Sequence, residues 1–310
     1  MPHVTFVHGL SNKPPKEALL KSWLGSLKGR FGGGLDLTGA GVTSEMVYWA
    51  DVLYEEPSAA DEEEPPAAQV ENRDVRELPA TPTDLPADEQ AFVNALEERL
   101  NGALLEVTAE TATANATAPA DRAIPLPGFL ERFLMKRLVR DAHHYLYAHD
   151  FEPRPGKKFN VQKELRKRFV EAVERGSRKP GPHVVVSHSM GTMIAYDCLK
   201  HDATCGKVDA LVTLGTPLGL SEVQDGFGKT WSKKSAYPAK TLGVDRWVNF
   251  YDRLDVVCAA SPKLAGDYRN DGATVIDDQR ITNVGRWRHA VREYLARDEI
   301  RKRLKQLLAI

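Results

Sequence analysis

The stretch HVVVSHSMGTMIAYDCL, residues 183–199, decides the fold class. Its run of valines is typical of a buried strand, and apolar residues at helical spacing follow from Met190 onward. Between the two, the small residues Ser187, Ser189 and Gly191 indicate a tight corner, because a sharp turn brings backbone and neighbouring strands too close for larger side chains. The corner therefore holds one serine, Ser189, at the carboxyl end of a strand.

Strand and helix patterns alternate on both sides of this corner. The predicted strands are residues 4–7, 41–54, 183–187, 208–216 and 245–251, and the predicted helices are residues 16–31, 161–176, 190–201 and 289–308. Such alternation requires right-handed crossover connections. The sequence therefore predicts an α/β fold, a mostly parallel sheet flanked by helices on both faces, in which functional residues gather at the carboxyl ends of the strands.

The middle of the chain interrupts this alternation. We divide it into a core, residues 1–54 and 157–310, and an insertion, residues 55–156. Residues 55–90 are rich in acid, proline and alanine, so we expect a mobile surface segment that serves as a linker, as a partner site or in no role. Residues 91–150 are expected to form a helical cap. Its apolar residues, which include Phe129, Phe133 and Leu134, either line a substrate pocket or simply pack on the core.

Ser189 needs partners to act as a nucleophile, because a serine hydroxyl is unreactive at neutral pH without a base, an orienting acid and donors for the oxyanion. Ser187–Gly191 is a variant of the G-x-S-x-G corner, with Ser187 in place of the first glycine. His289 is the one histidine beyond residue 201, which makes it the candidate base. Asp255 is the favoured acid because it lies in the loop past a strand end, and Asp252 is its rival.

Two backbone amides are the candidate oxyanion donors. One belongs to Met190, the residue after the serine, and the other to Leu10, in the loop that follows the first strand. His8 and Gly9 precede Leu10 in that loop and are candidates for the substrate pocket.

Five segments carry a resemblance to a known family: FVHGL, VVVSHSMGT, LVTLGTPLG, VNFYDRLDVV and RWRHAVREYL, in that order. Together they resemble the α/β-hydrolase superfamily, specifically its lipase/esterase-like branch. The resemblance implies Ser189, Asp255 and His289 as a catalytic triad. It also implies that the turn Gly215–Gly219, with Thr216, Pro217 and Leu218, borders an acyl pocket. One departure is Val256, where many relatives have a proline after the acid.

The expected function is hydrolysis of carboxylic esters through an acyl-enzyme, with a small-molecule or lipid-like substrate and no metal or organic cofactor. The alternatives are an amidase, thioesterase or acyltransferase that uses the same residues, or an inactive member of the fold that only binds.

Composition and sequence patterns also bear on binding partners, cell compartment and metal binding. A formal net charge of −1 gives no field to attract nucleic acid, and no apolar run has the roughly 20 residues of a transmembrane helix. Without a signal-peptide pattern, the chain is expected to be cytoplasmic, with its three cysteines reduced. Since His143, His144 and His149 have no carboxylate at ligand spacing along the chain, we expect them at the surface or in the core rather than around a metal.

Overall fold

The computed structural model describes residues 1–29, 33–59, 85–115, 128–228, 231–284 and 287–310, without the side chains of 111–115 and 128–134. The segment expected to be mobile, residues 55–90, lies mostly outside this description. Across the described residues, no helix combines the length and apolar character needed to cross a membrane.

A six-stranded sheet forms the centre of the molecule. Its strands, in chain order, are β1 (His3–Val7), β2 (Thr43–Val47), β5 (His183–His188), β6 (Ala210–Leu214), β7 (Trp247–Tyr251) and β8 (Ile276–Arg280). The two remaining strands, β3 (Asp150–Arg154) and β4 (Lys157–Asn160), form a separate hairpin. The sheet order is β2-β1-β5-β6-β7-β8, and every neighbouring pair is parallel. The four central strands are buried throughout, as expected when helices cover both faces of a parallel sheet.

Helices lie on the two faces of this sheet and across its carboxyl-terminal edge. They are α1 (Lys16–Lys28), α2 (Ala50–Leu53), α3 (Ala87–Asn115), α4 (Gly128–Leu146), α5 (Val161–Ser177), α6 (Met190–His201), α7 (Ser221–Gly226), α8 (Val291–Leu295) and α9 (Asp298–Leu308). Val184 and Val186 of β5 belong to the apolar cluster that contains α1, α8 and α9, whereas Val185 belongs to the cluster that contains α5 and α6. Alternate side chains of one strand thus enter opposite cores. The predicted fold class is confirmed.

The first helix of the insertion, α3, lies on loops that follow the sheet strands. Its apolar stripe shares one cluster with residues after β6 and β7: Leu96, Leu100, Leu104 and Val107 of α3 with Leu218, Val256 and Val257. Arg99 pairs with Glu222 at 3.2 Å, and Glu110 lies 3.6 Å from Arg253. The helix is therefore fixed across the carboxyl-terminal edge of the sheet by apolar burial, with two exposed ion pairs at its margins.

The carboxyl-terminal part of α4 belongs to the core. Tyr145 is fully buried, and its hydroxyl donates to Asp197 Oδ2 of α6 at 2.6 Å. Arg166 of α5 donates to both oxygens of Asp197, at 2.7 and 2.8 Å. The carboxyl-terminal end of α4 therefore packs into the core. The side chains of Phe129, Phe133 and Leu134, at its other end, lie outside the described residues.

Several predicted elements need correction. The strand expected over residues 41–54 ends at Val47 and is followed by the one-turn helix α2. The single final helix expected over residues 289–308 is two helices, because Arg297 adopts an extended conformation, φ −77° and ψ 136°, between them. Strands β3, β4 and β8 are not anticipated by the sequence patterns.

Candidate active site

Ser189 occupies the corner between β5 and α6. Its φ of 53° and ψ of −131° lie in a region that disfavours side chains, so the turn holds the serine in a strained conformation. The Ser189 amide donates to the carbonyl of Leu214 on the next strand at 3.0 Å, which fixes the corner against the sheet. A Cβ atom at Gly191 would lie 2.5 Å from the His8 carbonyl oxygen, so the helix can approach β1 this closely only with glycine there.

His289 lies in the loop before α8 rather than on a helix, and it contacts both other members of the predicted triad. Its Nε2 lies 2.8 Å from Ser189 Oγ, and its Nδ1 lies 2.9 Å from each carboxylate oxygen of Asp255. Since an ionised carboxylate only accepts, Nδ1 carries the proton and Nε2 offers its lone pair to the serine hydroxyl. All three side chains are fully buried.

Asp255 and its rival Asp252 have separate partners. Asp255 accepts hydrogen bonds from the Val257 amide at 3.0 Å and from the Tyr294 hydroxyl at 2.6 Å, in addition to His289. Asp252 instead accepts from the Asn283 amide at 2.7 Å, and burial raises the pKa of its carboxyl. The structure therefore brings Asp255, and not Asp252, to the histidine.

Two more residues complete the surroundings of the carboxylate: Tyr294, which sequence reasoning missed, and Gly215, which it placed only at the border of an acyl pocket. Tyr294, on α8, is buried, and burial together with the charge of Asp255 raises the pKa of its phenol, which keeps it a donor. Gly215 has a φ of 53°, and a Cβ there would lie 2.6 Å from Asp255 Oδ2 and 3.1 Å from His289 Nδ1. A glycine directly after a buried strand was a signal of close approach, whereas nothing in the pattern distinguished Tyr294 from a core tyrosine.

His188 supports the histidine loop. Its Nε2 donates to the His289 carbonyl at 2.8 Å, and the two rings lie 4.6 Å apart. Burial and the neighbouring His289 lower the pKa of His188 well below its ordinary value, so the ring is neutral. This side chain therefore positions the His289 backbone.

The loop after β1 contains Leu10 and the other predicted residues of that segment. His8 Nδ1 donates to the Gly9 carbonyl at 2.8 Å, and His8 Nε2 accepts from the Trp49 amide at 3.0 Å. With both ring nitrogens bonded to backbone, and the ring stacked on Trp49 at 4.6 Å, His8 shapes the loop and has no nitrogen left for a substrate. Leu10 is buried in the same cluster as Trp49, and Met190 is the first residue of α6, where an amide has no acceptor within its own helix.

The turn after β6 carries the other predicted pocket residues. Thr216 and Leu218 are fully buried, and Pro217 is buried beside them. The Thr216 hydroxyl lies 2.6 Å from that of Thr192 on α6 and accepts from the Leu218 amide at 3.1 Å. This bonding ties the turn to the helix behind Ser189.

Chemically, the arrangement can transfer a proton from a serine hydroxyl to a neutral imidazole whose other nitrogen is held by a buried carboxylate. No family model matches the chain, and no curated protein matches it.

Proposed function

We propose that the protein is a serine hydrolase of the α/β-hydrolase superfamily that cleaves carboxylic esters. The observation that carries the proposal is the buried chain of hydrogen bonds from Ser189 Oγ through His289 to Asp255, at 2.8 and 2.9 Å. Isolated Ser–His contacts are common, but here the serine sits at a strained strand-to-helix corner and the histidine tautomer is fixed by a carboxylate. These features favour a nucleophile over a packed turn.

In the proposed reaction, Ser189 Oγ attacks the ester carbonyl carbon while its proton moves to His289 Nε2. The tetrahedral oxyanion collapses, the C–O bond to the alcohol breaks, and His289 returns the proton to the leaving alkoxide. Water then attacks the acyl-enzyme with His289 again as the base, which releases the acid and regenerates the serine. Asp255 stabilises the imidazolium that forms in each half-reaction.

The oxyanion donors we propose are the amides of Met190 and Leu10. Met190 opens the twelve-residue helix α6, whose positive dipole end favours negative charge at that point. Removal of one such donor typically costs about 3 kcal/mol of transition-state stabilisation.

An apolar acyl group is the substrate feature we propose. Leu218, Val256 and Val257, in the loops after β6 and β7, are aliphatic and belong to the same apolar cluster as the buried stripe of α3. Since Ser189 is fully buried, the proposal requires the residues that cover it to move. The element we propose to move is α3, which apolar burial and two exposed ion pairs hold over these loops.

The deciding experiment is labelling with a fluorophosphonate, followed by peptide mapping, alongside hydrolysis of p-nitrophenyl esters of increasing chain length. Labelling at Ser189, with turnover that disappears in Ser189→Ala, is the expected result. Ser187→Ala is the matched control, because Ser187 lies two residues before Ser189, on β5, and its hydroxyl donates to the Val212 carbonyl at 3.3 Å. Labelling that persists in Ser189→Ala, or a folded wild type that neither labels nor turns over any ester, would contradict the proposal.

A further inference from the structure

A second cluster of reactive side chains lies in the insertion, among the histidines for which the sequence predicted no metal. His143 Nε2 and His149 Nε2 each lie 2.7 Å from one oxygen, Oε2 of Glu89. All three ligand atoms lie within 4.8 Å of one another. No carboxylate stands at ligand spacing from these histidines along the chain. Glu89, which lies on another helix 54 residues before His143, supplies one in space.

The backbone fixes this meeting point. Glu89 lies in the first turn of α3, and His143 lies in the last turn of α4. Beyond α4, Ala148 adopts a left-handed φ of 52°, and the His149 amide returns to the His144 carbonyl at 3.0 Å. This turn folds His149 back beside His143, with ring centroids 4.7 Å apart.

The donor set suits a borderline divalent cation. Two imidazole nitrogens and one carboxylate oxygen are ligands that Zn²⁺ takes in sites with three protein ligands and one water. His143 is 1% exposed, whereas Glu89 and His149 keep 13% and 32% of their side-chain surface, so the cluster has an anchored inner ligand and an entry path from solvent.

The distances are also compatible with an ion. Zinc bonds of about 2.0–2.1 Å in tetrahedral geometry separate ligand atoms by roughly 3.3 Å, so the two 2.7 Å contacts need to widen by about 0.6 Å each. The partly exposed Glu89 and His149 have the freedom to make this shift. An imidazole that ligates through Nε2 carries its proton on Nδ1, so replacement of these hydrogen bonds by metal bonds needs no co-reactant.

We propose that Glu89, His143 and His149 form a Zn²⁺ site that clamps the start of α3 to the end of α4. The inference is independent of the proposed hydrolase function. Because α3 lies over the loops after β6 and β7, the clamp would set how firmly this helix is held at one end.

The test is calorimetric titration of ZnCl₂ into the metal-stripped, untagged full chain. Binding of one Zn²⁺ per chain is expected, with affinity reduced at least about tenfold in Glu89→Gln and in His149→Asn. The matched control is His201→Asn, because His201 contacts a single carboxylate, Asp197 Oδ1 at 2.9 Å, without a third ligand. His201→Asn should leave the affinity for Zn²⁺ unchanged. As a second readout, Zn²⁺ should raise Tm in the wild type but not in Glu89→Gln.

X-ray absorption of the zinc-loaded wild type tests the ligand set without any variant. Two imidazole nitrogens and a carboxylate oxygen are expected around the metal. No binding by the wild type, a sulfur ligand, or full affinity in both Glu89→Gln and His149→Asn would overturn the proposal.

Discussion

The substitution Asp255→Asn tests the proposed triad most directly. Asp255 accepts hydrogen bonds from the Val257 amide, the Tyr294 hydroxyl and His289 Nδ1. In the variant, the amide oxygen keeps the bond to Val257, because the NH₂ group cannot face another N–H donor. The NH₂ group then faces Tyr294, whose hydroxyl can turn to accept, and His289.

This orientation disfavours the wild-type histidine tautomer. The NH₂ group puts a donor at the Oδ2 position, 2.9 Å from Nδ1, and leaves a single acceptor, the oxygen already bonded to Val257, for the Nδ1 proton. The imidazole proton is therefore favoured on Nε2, which lies 2.8 Å from Ser189 Oγ and then offers it a proton instead of a lone pair. Loss of the correct tautomer in a serine triad lowers kcat by about 10⁴-fold, which corresponds to roughly 5 kcal/mol of activation free energy. We expect a loss of this size against a p-nitrophenyl ester that the wild type cleaves, with little change in KM.

Asp252→Asn is the matched control, three residues earlier in the same loop. Asp252 accepts from the Leu254 and Asn283 amides and does not contact His289 in the structure, so its substitution should lower stability by about 1–3 kcal/mol. Its effect on kcat should remain below about tenfold. Nitrogen-15 NMR of His289 adds a readout that needs no substrate. A wild-type tautomer in Asp255→Asn, or equal losses of kcat in the two variants, would refute the reasoning.

Three further predictions concern strain, packing and protonation. Ser189→Gly should have a free energy of unfolding about 1 kcal/mol higher than that of Ser189→Ala in denaturant titration, because glycine relieves the positive φ and alanine does not. Equal free energies of unfolding would argue against stored strain. Gly191→Ala should cost about 3 kcal/mol or more in urea unfolding, since its Cβ meets backbone at 2.5 Å, whereas Gly102→Ala, with open space around it, should not destabilise the protein. Burial lowers the pKa of His183 to about 4 in the folded state against 6.5 unfolded, so the unfolded state binds the proton first and stability falls as pH drops from 6.5 to 4. Protonation of His183 alone should account for about 3 kcal/mol of this loss in the free energy of unfolding, and His183→Gln should reduce the loss by a comparable amount. An unchanged dependence of stability on pH in the variant would count against this prediction.

The sequence carried enough information to single out Ser189 and His289. The serine stood at a strand-to-helix corner, and the order of the chain left one histidine downstream, so neither choice needed three-dimensional information. Asp252 and Asp255 were harder to separate, because they share one loop and the same apolar surroundings. What distinguishes them is which way the loop turns, and that depends on the Val257 amide and the Tyr294 hydroxyl.

The missed elements have physical reasons as well. Strand β8 reads IDDQR, and at the edge of the sheet it is half exposed, so it lacks the apolar run that revealed the central strands. The break at Arg297 was hidden because apolar residues continue on either side of it, with Leu295 and Ile300, and no proline or glycine stands between them. Glu89 meets His143 across 54 residues, a contact that no local pattern encodes.

The bonding around Asp197 determines where an opening motion can pivot. Its carboxylate joins the end of α4, through Tyr145, to the helix that begins directly behind Ser189. Swinging this end of α4 outward would break a buried bond to a charged group and would pull on the corner itself. If the proposed opening moves α4, its hinge would have to lie before Tyr145, so that Ser189 stays in place.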